Sequence, residues 1–241
     1  MKKLTISFFL LFLLSAVCFI SICMAWKEYA VQGRDKEIFE QLTQLVELPN
    51  KADESYHNTT KSELDISAIT DEFVSTMAEK ETVEQKRNLV SIMEQNNECI
   101  GWIYIEGTAV NYPVMHSPND PQKYLRKNFY GEYSMAGVPF LDYRCTLESN
   151  LIVYGHNMKD GTMFFDIKQY LDMSFREEHR IIEFETKSSV SYYTVVDVIK
   201  TDIYDQRYNN IVIEDGRQML ILSTCDGSEK SGRLIVIAKK N

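Results

Sequence analysis

The chain has 241 residues, 44% hydrophobic and 25% charged, with a net charge of −9. That length accommodates one good-sized domain with appendages, and the composition suits a chain that buries a core. The acidic balance, with no dense run of Lys and Arg, argues against a nucleic-acid partner.

After Lys2 and Lys3, the stretch from Leu4 to Trp26 carries no charge. A bilayer-spanning helix needs roughly 20 apolar residues, and this run meets that length. A cleaved signal peptide has a shorter apolar core of roughly 7–15 residues with small residues before the cut, and Cys23 and Ala25 make a poor site. The run therefore reads as a retained transmembrane anchor. Lys2 and Lys3 favour a cytoplasmic N-terminus, with Lys27 weakening the asymmetry, so the remainder would lie outside the membrane.

Beyond the anchor, Ile38, Phe39, Leu42, Leu45 and Val46 recur at helical spacing until Pro49. Asn50–Ser62 is a polar linker, with a sequon at Asn58 that carries little weight. Ile66, Ile69, Phe73 and Met77 form a second helical stripe, and Thr82 with Gln85 has capping-box spacing for a third helix. From Gly101 the pattern changes to short β-rich runs: GWIYIEG, AVNYPVM, VPFLDY, NLIVYG, HRIIEFET, SVSYYTVVDVI, QMLILST and RLIVIAK. One helical stretch, GTMFFDIKQYLD, interrupts them. About eight short strands suggest a barrel or a sandwich.

Of five cysteines, Cys18 and Cys23 lie in the apolar span, leaving Cys99, Cys145 and Cys225. An odd number in an exported portion leaves at least one thiol without an intramolecular partner. No Cys or His spacing suggests zinc. Cys225 closes the apolar run MLILSTC, and Arg233 opens the next one after a polar connection. Paired as a hairpin, the two would flank one loop, where a guanidinium favours thiolate and can hydrogen-bond an oxyanion. Each residue alone also fits a bland role, Cys225 in the core and Arg233 in solvent.

A cysteine nucleophile wants an imidazole, and the candidates are His57, His116, His156 and His179. His57 sits in the polar linker and His179 in a charged stretch, while His116 follows a strand. His156 is best placed, just past an apolar strand and after Gly155, which would let the backbone turn sharply.

IVYGHNMKDGTMF (Ile152–Phe164), LSTC (Leu222–Cys225) and Arg233 in GRLIVIAK resemble the active-site segments of class B sortases. IGWIYIEGTAVNYPVM, NFYGEYSMAGVPFLDYR and FREEHRIIEF resemble other stretches of that class. Two features depart from it: Ile221 stands where the family often has Thr, and Thr201–Gln218 is short for a segment that often carries an extra helix.

The resemblance implies a mainly β fold with peripheral helices, a sortase-type closed β-barrel of about eight strands preceded by N-terminal helices and a transmembrane helix. Residues 1–26 would be the cytoplasmic tip and anchor, 27–96 a helical spacer, and 97–241 the catalytic barrel. It implies a cysteine transpeptidase that cleaves a C-terminal sorting motif of exported proteins after Thr. The acyl group would pass through a Cys225 thioester to an amine of a peptidoglycan precursor or pilin. His156 and Arg233 would complete the catalytic set; Asn111, Met115, Tyr154, Ser223 and Thr224 would contact substrate. No metal or organic cofactor is implied. A membrane-tethered cysteine peptidase and an inert surface-binding module are the alternatives.

Overall fold

Helix α1 runs without a break from Lys2 to Glu47, so the apolar span and the first helical stripe form one rod. Large apolar side chains from Leu11 to Trp26 stand exposed along the helix. From Asp35 onward the burial becomes one-sided: Asp35, Ile38, Phe39, Leu42 and Val46 turn to the rest of the molecule at helical spacing. By length and composition α1 is a helix able to cross a membrane. The structure, a computed structural model, describes residues 2–47, 87–213, 216–227 and 230–241. The linker Asn50–Ser62 with its sequon and His57, the stripe Ile66 to Met77, and the Thr82–Gln85 capping box lie outside the described residues.

The Arg87 guanidinium lies between the carboxylates of Glu183 and Glu185 and over the Tyr104 ring. A short helix α2 (Val90–Gln95) follows. Eight strands then build the barrel: β1 (Cys99–Tyr104), β2 (Asn111–Met115), β3 (Phe140–Leu141), β4 (Leu151–Tyr154), β5 (Ile181–Glu185), β6 (Val190–Asp202), β7 (Met219–Cys225) and β8 (Gly232–Lys240). They close in the order β1-β2-β3-β4-β7-β8-β6-β5. Each falls on one of the eight apolar runs read from the sequence. The helical stretch after β4 is a 3₁₀ turn over Asp166–Leu171, then helix α3 (Met173–Glu178), which Asp172 caps by accepting from the Phe175 amide at 3.0 Å.

Two pairings position everything that follows. β4 lies parallel beside β7, Tyr154 opposite Ser223. β7 lies antiparallel to β8, Cys225 opposite Arg233. Leu220, Ile221 and Leu222 are all buried, as are Leu151, Ile152 and Val153 beside them. Such continuous apolar runs mark strands covered on both faces. Each such side chain contributes about 1.5–3 kcal/mol on burial, so the register of β4, β7 and β8 is strongly held.

Candidate active site

β4 ends opposite Ser223, two residues before β7 does, and side chains from both strand ends line one groove of about 680 Å³. Tyr154, His156, Ser223, Thr224, Cys225 and Arg233 all line it. The Gly155 amide donates to the Ser223 carbonyl at 3.1 Å, extending the parallel pairing one step past β4. His156 therefore arrives level with the end of β7. Asn157 completes the junction by donating from Nδ2 to the Cys225 carbonyl at 3.0 Å.

Gly155 serves a purpose other than the sharp turn expected from the sequence. Its φ is not among the positive ones; instead a Cβ there would lie 2.6 Å from the Phe164 ring. Glycine is needed because buried Phe164 packs against the backbone, and the Phe164 amide donates to the His156 carbonyl at 2.8 Å.

Cys225 is half-buried, whereas Cys99 and Cys145 are buried free thiols. Burial pushes the Cys99 thiol up to about 12 and raises that of Cys145, so both are poor thiolates. The His156 ring is held below its ordinary value, first by burial and then by the charges of Arg126 and Arg233, with the Leu125 carbonyl partly offsetting them. Its Nε2 lies 2.9 Å from that carbonyl. A carbonyl only accepts, so Nε2 carries the proton and Nδ1 keeps its lone pair. The Arg233 guanidinium folds over its own turn, Nη1 donating to the carbonyls of Gly232 at 2.9 Å and Lys230 at 3.2 Å.

The wall beside β4 was not singled out from the sequence. Asp142, just past β3, accepts from Arg144 Nε at 2.8 Å and Nη2 at 2.9 Å and from the Tyr154 hydroxyl at 2.8 Å. Burial pushes the Asp142 carboxyl up, but the hydrogen bonds from Arg144 and Tyr154 outweigh it and hold it below the usual range. Arg144 Nη2 also donates to the Tyr208 carbonyl at 2.8 Å. Tyr208 and Ser223 share a hydroxyl hydrogen bond at 2.8 Å. The short β6–β7 connection, whose described residues include a 3₁₀ turn over Gln206–Asn209, is thereby moored to the groove, to which it contributes Ile203, Tyr204 and Tyr208.

Two expected substrate contacts are placed elsewhere. Asn111 accepts from the Trp102 indole at 2.6 Å, and Met115 is fully buried opposite Phe140; neither lines the groove. The barrel pleat turns Met115 into the core, and Trp102 needs an acceptor for its buried N–H. His116 and His179 are likewise outside the groove, His179 bound through Nδ1 to the Glu106 carbonyl at 2.7 Å.

The model of the sortase domain matches residues 103–241. Sortase B of Staphylococcus aureus is 34% identical over 178 residues, 62% of this chain and 72% of that protein. Sortase B of Listeria monocytogenes is 30% identical over 215 residues, 77% of this chain and 86% of that protein. A solved Staphylococcus aureus sortase B–substrate complex superimposes with a TM-score of 0.62 at 27% identity, covering 87% of this chain and 97% of that one.

The chain belongs to the sortase family.

Its likeness is to class B, and a sortase of this class is a cysteine transpeptidase. In this sortase the sequence had two usable signals for the wall beside β4. Asp142 and Arg144 stand two residues apart just after a strand, a spacing that favours one side of an extended chain, and both fall in the stretch that carried the class B resemblance. The Leu125 carbonyl gave none, because a backbone acceptor is present at every residue.

Proposed function

We propose that Cys225, His156 and Arg233 are the catalytic residues of this transpeptidase, and that it cuts a C-terminal sorting motif of an exported protein after Thr. One observation carries this reading: the registers that set Cys225 opposite Arg233 and bring His156 two residues past Tyr154 gather all three at one end of one groove. Cys225 Sγ gives its proton to His156 Nδ1 and, as thiolate, attacks the Thr carbonyl carbon, and the carbonyl π-bond opens to an oxyanion that Arg233 hydrogen-bonds. As the oxyanion collapses, the C–N bond breaks and protonated His156 gives its proton to the leaving amine. An amine of a peptidoglycan precursor or pilin then attacks the thioester, losing a proton to His156. The acyl group passes to nitrogen and the thiolate is released, taking its proton back from His156. The thioester conserves the energy of the broken peptide bond, so no nucleotide is needed.

Tyr154, Ser223 and Thr224 are the proposed substrate contacts. Thr224 Oγ1 supports this most directly. It is buried at the groove without a hydrogen-bond partner among the described residues, and such a group gains when a ligand supplies one. Helix α1 would anchor the enzyme as a single span with a cytoplasmic N-terminus, the barrel standing outside.

The cellular test compares wild type with Cys225→Ala in the native host. Surface proteins bearing a sorting motif should accumulate uncleaved in the membrane fraction when Cys225 is replaced. Normal processing of every such protein in that strain would refute the reading.

A further inference from the structure

Leu125, whose carbonyl holds His156, belongs to a three-residue 3₁₀ turn, Lys123–Leu125. So short a turn has little stability of its own, yet here it is clamped from two sides. Glu98, just before β1, accepts from Lys123 Nζ at 2.5 Å and from the Tyr124 hydroxyl at 2.5 Å through one oxygen, Oε2. Asn96 donates from Nδ2 to the Tyr124 hydroxyl at 3.0 Å and accepts from the Glu98 amide at 3.0 Å. On the other side the Val138 amide donates to the Tyr124 carbonyl at 3.1 Å. Gly137, at φ +62°, passes so close that a Cβ would lie 2.4 Å from the Tyr124 oxygen and 2.9 Å from the Leu125 oxygen. Tyr124 itself is buried, while Glu98 is partly exposed and lies outside the groove lining.

We propose that Glu98 is a positioning residue for the reaction: through Tyr124 and Lys123 it holds the Leu125 carbonyl on His156 Nε2, and so determines that Nδ1 is the nitrogen left for proton transfer. This rests on the catalytic role proposed above for His156. The carbonyl does for this imidazole what a buried carboxylate does in a Ser–His–Asp triad, fixing tautomer and ring orientation. Being uncharged, it leaves the ring's charge to be governed by burial and by Arg126 and Arg233.

The test uses the full chain in detergent micelles with ¹⁵N-labelled histidine rings. His156 of the resting wild type should carry its proton on Nε2. Glu98→Gln and Tyr124→Phe should admit the Nδ1–H tautomer and lower kcat about tenfold, a partial loss of general acid–base catalysis, with KM within about twofold. Tyr170→Phe is the control: it removes a similar phenol bond, to the His179 carbonyl at 2.6 Å, and should change neither tautomer nor kcat. Should Tyr124→Phe not fold, Glu98→Gln still decides. An Nδ1–H tautomer in the wild type would overturn the proposal. So would a Glu98→Gln protein with an unchanged tautomer, whatever its activity. The tautomer is read without substrate, so absence of turnover in the wild type would count against the proposed function and not against this role.

Discussion

The Asn157 side chain donates to the backbone carbonyl of Cys225 at 3.0 Å, fastening the loop that carries His156 to the end of the strand that carries the thiol. β4 itself stops at Tyr154, so beyond the Gly155 amide this bond is what continues the junction between the two strand ends.

Asn157→Ala should therefore cost activity more than stability. A lost neutral hydrogen bond costs about 1 kcal/mol. A loosened pair of reacting groups should lower kcat/KM about tenfold, because small misplacements of reacting groups are expensive. Thermal melting and steady-state kinetics on one preparation check both. A large fall in melting temperature with unchanged kcat/KM would contradict this reading of the contact.

Gly155→Ala should be worse. The new methyl would meet the Phe164 ring at 2.6 Å, and overpacking of this kind costs about 1–3 kcal/mol. Because Phe164 also holds the His156 backbone, activity should fall along with stability. Adding Phe164→Leu, which opens space beside the ring's former position, should recover part of the activity. No recovery would mean the glycine is needed for something other than that close approach.

Asp142→Asn should destabilise the protein at neutral pH by about 1.5–3 kcal/mol, the range for hydrogen bonds to a charged group. The folded-state value of Asp142 lies below the usual carboxylate range. Its contribution is thus present above the unfolded-state value near 4 and is lost as pH falls through the folded-state value. The difference in melting temperature between wild type and Asp142→Asn should shrink on acidification below about pH 4. A difference independent of pH would show that Asp142 is not ionised in the fold.

His156 should titrate below 6.5, the ordinary value. Burial leads this shift and the Arg126 charge adds to it, so Arg126→Gln should move the midpoint upward. Because the folded-state value is depressed, this histidine costs stability as pH falls from the unfolded-state value to the folded one. Ring-proton NMR over that range provides the midpoint. A wild-type midpoint above 6.5 would contradict the environment described.

The strands were legible because each is an apolar run fenced by turn residues, and the Cys225–Arg233 pairing because a hairpin is a local structure. The convergence of His156 on them was not, since it depends on the parallel pairing of β4 with β7 across some 65 intervening residues. Sequence patterning assigns helix to both the apolar span and the Ile38–Val46 stripe, and nothing between them but Gly33 interrupts it; that they form one rod became clear only from α1. That Asn111 and Met115 do not line the groove was not legible either, because the side a strand residue faces follows the barrel's closure, which no local spacing reveals. Leu125 acts through its backbone, so its identity carried no signal at all.

The proposed reaction requires Cys225 to hold the acyl group and an amine to take it. The most direct measurement is intact mass spectrometry of the full chain in detergent, mixed with peptides bearing candidate sorting motifs and then chased with an amine or with water alone. An adduct on Cys225 is expected, absent from Cys225→Ala, with the mass of the peptide truncated after Thr, which disappears into an amide product when the amine is added. An adduct on another residue, or one resolved only by water at any amine concentration, would contradict it.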